Sequence, residues 1–201
     1  MSSHLYEVAL FGEFFSRDLK AILNRITLHS ESSQSIHTRE IVFEPFDAQH
    51  QRDIGTEPVI LRAKKELTEP DSGWLLYSYL KPESVRVHPE ATVRPWSTCQ
   101  VVGDALSFAA ALGYVRRSQI YKHGYSFRRG ALVILMFQQE QVDPKTQQPI
   151  PAHTDTLWEM EVKTASPIRN TQETPLSHAV DAVLEVQLLM KGLLDLRRQD
   201  L

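Results

Sequence analysis

Apolar and polar residues alternate with a period of two through much of residues 36–165, while a period near 3.6 appears toward each end of the chain. Residues 6–11 (YEVALF) predict a short strand. Ser16 then fits an N-cap with Asp18 in the first turn, and Leu19, Ile22, Leu23 and Ile26 follow at helical spacing, so a helix is expected over about residues 16–29. The polar run SESSQS predicts a loop. Four β-like segments follow, at 36–46, 58–67, 73–80 and 92–102. In the second, Val59, Leu61 and Ala63 share one face and Arg62, Lys64 and Glu66 the other. Pro95 in the fourth argues for an edge or a bulge. Residues 103–114 predict a short helix ended by Gly113. Two long strands joined at Arg129-Gly130 come next, reaching about residue 142, then a proline-rich loop and a strand at 154–165. Thr174 fits a cap with Pro175 at the first position of a final helix over about 175–199.

This pattern implies an α+β, mainly β fold, with residues 1–201 as a single domain: a multistranded antiparallel sheet curling into a barrel, flanked by helices. Two segments break the half-buried rule. In the second long strand Leu132, Ile134 and Met136 alternate with Val133, Leu135 and Phe137, so both faces are apolar and need cover, from the domain itself or from a partner. The final helix is apolar around most of its circumference. Val133, Leu135, Phe137, Leu189, Leu193 and Leu196 are therefore candidate partner-binding residues.

Composition narrows the function. The 201 residues suffice for one sizeable core, and 42% hydrophobic with 23% charged residues suits a folded soluble chain. The net charge of -3 speaks against a protein that grips nucleic acid through many phosphates. Cys99 stands alone, which excludes an intrachain disulfide and predicts a small buried hydrophobe. The first residues do not resemble a signal peptide, and no apolar run approaches membrane-spanning length. The eight histidines lack ligand spacing, and no nucleotide-loop or nucleophile motif occurs, so neither metal nor cofactor is expected.

Two stretches still offer chemistry. Glu159 and Glu161 lie at i and i+2 opposite Trp158, Met160 and Val162, where a carboxylate pair could hold a divalent cation. The pattern favours a plainer exposed polar face. Residues 114–140 carry Arg116, Arg117, Lys122, Arg128 and Arg129, with no acid from 105 to 139. Lys122 and Arg128 share one face; Tyr121, His123, Tyr125 and Phe127 share the other. Such a face could meet phosphates or single-stranded nucleic acid. The plainer expectation is aromatics packed inward and cations in water.

In order along the chain, LYEVALFGEF, LKAILNRI, VFEPF, PVILRAKKEL, LGYVRRSQIYKHGYSFRRGALVILMFQQE and LWEMEV before a long final helix resemble the family of Mediator complex subunit 18. The resemblance implies a barrel-like β domain of the triphosphate-tunnel type. It also implies a non-catalytic nuclear role in the Mediator head module, acting on RNA polymerase II transcription. The implied partners are Mediator subunit 20, a related barrel, and a C-terminal helix of Mediator subunit 8; no direct specific nucleic-acid binding is implied. The alternative is a metal-dependent triphosphate hydrolase using Glu159, Glu161, Arg116, Lys122 and Arg128. Tunnel hydrolases carry Glu-x-Glu-x-Lys on an N-terminal strand. Here Glu7 fits the first position, but Ala9 and Phe11 stand at the others.

Overall fold

Residues 4–69 and 71–200 are described by the computed structural model. The chain runs β1 (Leu5–Phe14), α1 (Leu19–Leu28), β2 (Ser32–Pro45), α2 (Ala48–Asp53), β3 (Leu61–Glu66), β4 (Trp74–Tyr79) and β5 (Thr92–Val101). It continues with α3 (Ala105–Ala111), β6 (Tyr114–Arg129), β7 (Leu132–Val142), β8 (Pro149–Ile150), β9 (Trp158–Thr164), β10 (Ile168–Arg169) and α4 (Leu176–Met190). The strands β1-β5-β4-β3-β2-β6-β7-β9 pair antiparallel in that order, and β9 pairs β1 again, closing the barrel. The two-residue strands β8 and β10 extend β7 and β1. Closure removes the free edges that a sheet of this size would otherwise expose.

The helices cover the convex face. Ile22 and Ile26 of α1 and Val180, Val183, Val186 and Met190 of α4 pack on Val8 and Leu10 of β1, Ile134 and Met136 of β7, and Met160 and Val162 of β9. Ala105 and Ala109 of α3 cover Ile41, Phe43, Ala63, Trp74 and Leu76 on the opposite side. Gly12 permits the C-terminal segment to lie against β1: a Cβ there would stand 3.1 Å from the Asp195 carbonyl oxygen. Backbone hydrogen bonds between Phe11 and Arg197 fasten that segment.

Several local expectations give way to tertiary demands. The polar run Ser32–Ser35 is strand, because β6 continues far enough to pair it, Ser32 opposite Arg128. Ser16 does not cap α1; its hydroxyl donates to the Thr154 carbonyl, and residues 16–18 form a short 3-10 turn. Pro175 itself occupies the N-cap of α4, while Thr174 bonds Thr171 and the Arg169 carbonyl. The final helix stops at Met190, not near 199, and Gly192 (φ 87) turns the chain so that Leu194 and Leu196 tuck beneath it. Pro95 lies within the closed barrel, not on an edge. It sits where β5 passes from β4, which pairs residues 96–101, to β1, which pairs 92–95. Cys99 is exposed, because Ser97 through Gln100 at this end of β5 are all uncovered.

Candidate functional site

The barrel encloses a cavity of about 980 Å³, lined by residues from all eight closing strands. Strand alternation sends one parity of each strand inward. β3 contributes Arg62 and Lys64, β4 Tyr77 and Tyr79, β5 Arg94 and Trp96, β6 Lys122, and β9 Glu159, Glu161 and Lys163. From β1, Glu7 faces this space, with its carboxylate on Arg94 and Tyr79. The polar faces read from the sequence are therefore lumenal. Glu159 and Glu161 do not form an outer polar face; of the β6 cations Lys122 is drawn inward, whereas Arg116, Arg117 and Arg128 are exposed, as expected of them. Phe127 and Tyr125 pack outward against the helix-covered core, while Lys122 points inward.

Three carboxylates organise the interior. Glu7, fully buried, accepts from Arg94 Nε and Nη2 at 3.0 and 2.7 Å and from the Tyr79 hydroxyl at 2.8 Å. Glu40 receives Arg62 at 3.2 Å and Lys122 at 3.4 Å. Glu161 receives Lys163 at 2.6 Å and Lys122 at 3.2 Å. Burial opposes the charge of Glu161, but Lys122 and Lys163 outweigh it and hold the carboxyl far below its ordinary range. Burial likewise opposes the charge of Lys163, yet Glu161, Tyr79 and Glu7 keep the ammonium charged well above its ordinary range. Burial raises Glu159, whose carboxylate accepts from Gln139 at 2.6 Å. The Arg94 guanidinium also lies 3.4 Å over the Tyr79 ring, so its position is set on two sides.

The structure sorts the other sequence candidates. Arg128 reaches the lumen lining but is exposed. Arg116 does not line it. A bulge opposite Val42 and Phe43 leaves Arg117 as the extra residue of β6, reversing the alternation. Arg117 then lies at the cavity, while Arg116 bonds Gln119 and Gln147. Val133, Leu135 and Phe137 also face inward, meeting Ile36 in an apolar end of the lumen. Both faces of β7 are thus covered by this chain itself, one of the two covers the sequence left open, and the assignment of Val133, Leu135 and Phe137 to a partner surface is corrected. Leu196 is fully buried; Leu189 and Leu193 are half-buried. Sequence reading missed Arg94, Glu40 and Lys163 as lumen residues. Lys64 and Arg62 were placed on one face, but nothing local marked that face as internal.

A metal ion would need carboxylates free to turn toward it. Glu7, Glu40 and Glu161 are already engaged by this chain's own cations, and β1 offers Ala9 and Phe11 beside Glu7. These three carboxylates are neutralised by the chain itself, and the arrangement does not fit a divalent ion.

A family model described as Med18 protein matches residues 74–201. No curated protein matches the chain by sequence. Among solved structures, it is similar to one from the Schizosaccharomyces pombe Mediator head module, with 18% identity and a TM-score of 0.79 over 98% of this chain and 100% of that one. A protein from Pyrococcus horikoshii OT3 is similar at 12% identity and TM-score 0.61, over 96% of this chain and 94% of that one. A putative adenylyl cyclase from Hippeastrum, described as having a dominant triphosphatase activity, is similar at 9% identity and TM-score 0.52, over 95% and 90%. At these identities the structural likenesses establish a shared barrel fold and nothing more.

Proposed function

The chain belongs to the Med18 family, and from that premise we propose that it is a non-catalytic subunit of the Mediator head module, a protein-interaction scaffold in RNA polymerase II transcription. The observation that carries the non-catalytic reading is the state of the lumen carboxylates. Glu7, Glu40 and Glu161 are each paired with a lysine or arginine, so a metal-dependent triphosphate hydrolase would have to break several buried ion pairs before binding its metal.

The proposed partners are Mediator subunit 20, as a related barrel, and a C-terminal helix of Mediator subunit 8, within a nuclear complex. What supports a helix-docking role is the end of α4. Leu188 is 70% exposed there and, with half-buried Leu193, lines a groove of about 530 Å³. An apolar residue so exposed at a groove suits an amphipathic partner. Co-expression with subunit 20 and the C-terminal segment of subunit 8 is expected to give one complex on size exclusion. Leu188→Asp is expected to weaken capture of the subunit 8 segment while leaving the melting temperature unchanged. A chain that remains monomeric in the presence of both partners would overturn the reading.

A further inference from the structure

The histidines carry no ligand spacing along the chain, but strand pairing brings two of them together. His37 of β2 stands directly opposite His123 of β6, so both rings leave the same side of the sheet. That side is the outer one, because Ile36, Thr38, Lys122 and Gln139 take the lumenal parity. Glu140 of β7, opposite Tyr121, shares the outer side. Its carboxylate meets both rings: His37 Nε2 lies 2.8 Å from Oε2, and His123 Nδ1 lies 3.4 Å from Oε1. Glu140 is only 5% exposed, and the partners of its carboxylate among the described residues are these two imidazoles. The ring centres are 5.0 Å apart. Two imidazoles on one tetrahedral centre, at Zn–N of about 2.0–2.1 Å, also stand about 5 Å apart.

We propose that His37, His123 and Glu140 form a Zn²⁺ site on the outer wall of the barrel, with water as the fourth ligand, that ties β2, β6 and β7 together. Two imidazole nitrogens and one carboxylate oxygen are a ligand set this ion takes. A divalent ion also brings the positive charge that a neutral imidazole lacks to a carboxylate removed from water. Two of the ligands are seated in advance. The His37 amide donates to Glu66 at 2.9 Å, and its ring lies 5.9 Å from that of Tyr121, which is itself held by the Gln147 carbonyl. As the side chains lie, no three such donors among the described residues surround a common centre. The step to one is short: the His37–Glu140 contact opens by about half an ångström, to the edge of a tetrahedron, and the His123 ring, 61% exposed, turns. The site is separate from the lumen and from any partner surface.

The test is calorimetric titration of the full chain, free of any histidine tag, with Zn²⁺ in a buffer that does not coordinate metals. Saturable one-to-one binding is expected, together with a higher melting temperature in excess Zn²⁺. His123→Ala is expected to weaken binding by at least about tenfold, the lower end of what even an outer hydrogen-bond partner of a metal ligand contributes. Because His123 is mostly exposed, the metal-free melting temperature of that variant should match the parent's, which separates a lost ligand from a lost fold. His178→Ala, on α4, is expected to leave binding unchanged. Mg²⁺ should not compete, since it prefers oxygen ligands. Absence of saturable binding, binding indifferent to His123→Ala, an equal loss on His178→Ala, or displacement of Zn²⁺ by Mg²⁺ would each overturn the proposal.

Discussion

Arg94 and Glu7 face each other deep in the barrel, 8% and 0% exposed, with two hydrogen bonds between them. Removing one partner strands the other charge away from water. Arg94→Ala is therefore expected to destabilise the fold by about 3–5 kcal/mol in denaturant unfolding, far more than loss of a surface pair such as Arg52 with Glu44. Acid should act through the same network. The carboxyls of Glu161 and Glu40 are held below their ordinary value of 4.5, against the penalty of burial, by Lys122 with Lys163 and by Lys122 with Arg62. The unfolded chain therefore binds protons before these folded carboxyls do. Their contribution is fully present above about pH 4.5 and is lost as pH falls through the depressed folded values. The melting temperature is expected to hold between neutrality and about pH 5 and to drop below about pH 4.5. Glu161→Gln should flatten that drop. Glu159, raised by burial, acts in the opposite sense and takes a little from the effect.

Along single elements, β6 shows how far local pattern reaches. Its length, its turn at Gly130 and the opposition of Lys122 to Tyr121 and His123 were all legible from alternation. The bulge at Arg117 was not, because no residue type demands it; it arises where β2 and β6 must stay paired around a curved wall. Gly124 is the strictest position on that strand. A Cβ there would lie 2.0 Å from the Met136 carbonyl oxygen and 2.7 Å from the Phe137 Cα, both backbone atoms that cannot yield without moving β7. Gly124→Ala is expected to cost at least about 1–3 kcal/mol, the usual range for overpacking, seen as a lower denaturant midpoint. An unchanged midpoint would mean that the two strands are not so close. The end of α4 was likewise illegible: the leucines after Met190 keep an apolar composition, but they bury themselves by turning back on β1 rather than by continuing the helix.

For the whole molecule, the strand-rich pattern, the helices near the ends and the order of family-like segments sufficed to predict an antiparallel barrel and the family itself. Period-two alternation also fixed which side chains travel together: Glu159 with Glu161, Arg62 with Lys64, Val133 with Leu135 and Phe137. It could not say which face is inside, since alternation is symmetric to that choice. Closure decided it. When β9 joins β7 to β1, partners far apart in sequence, the sheet acquires a concave side too narrow for helices, and α1, α3 and α4 can cover only the convex one. The large apolar faces of β1, β7 and β9 must therefore turn outward to the helices, and the charged faces inward. There the acids and bases of different strands meet across the lumen, Glu7 with Arg94 and Glu161 with Lys163 and Lys122.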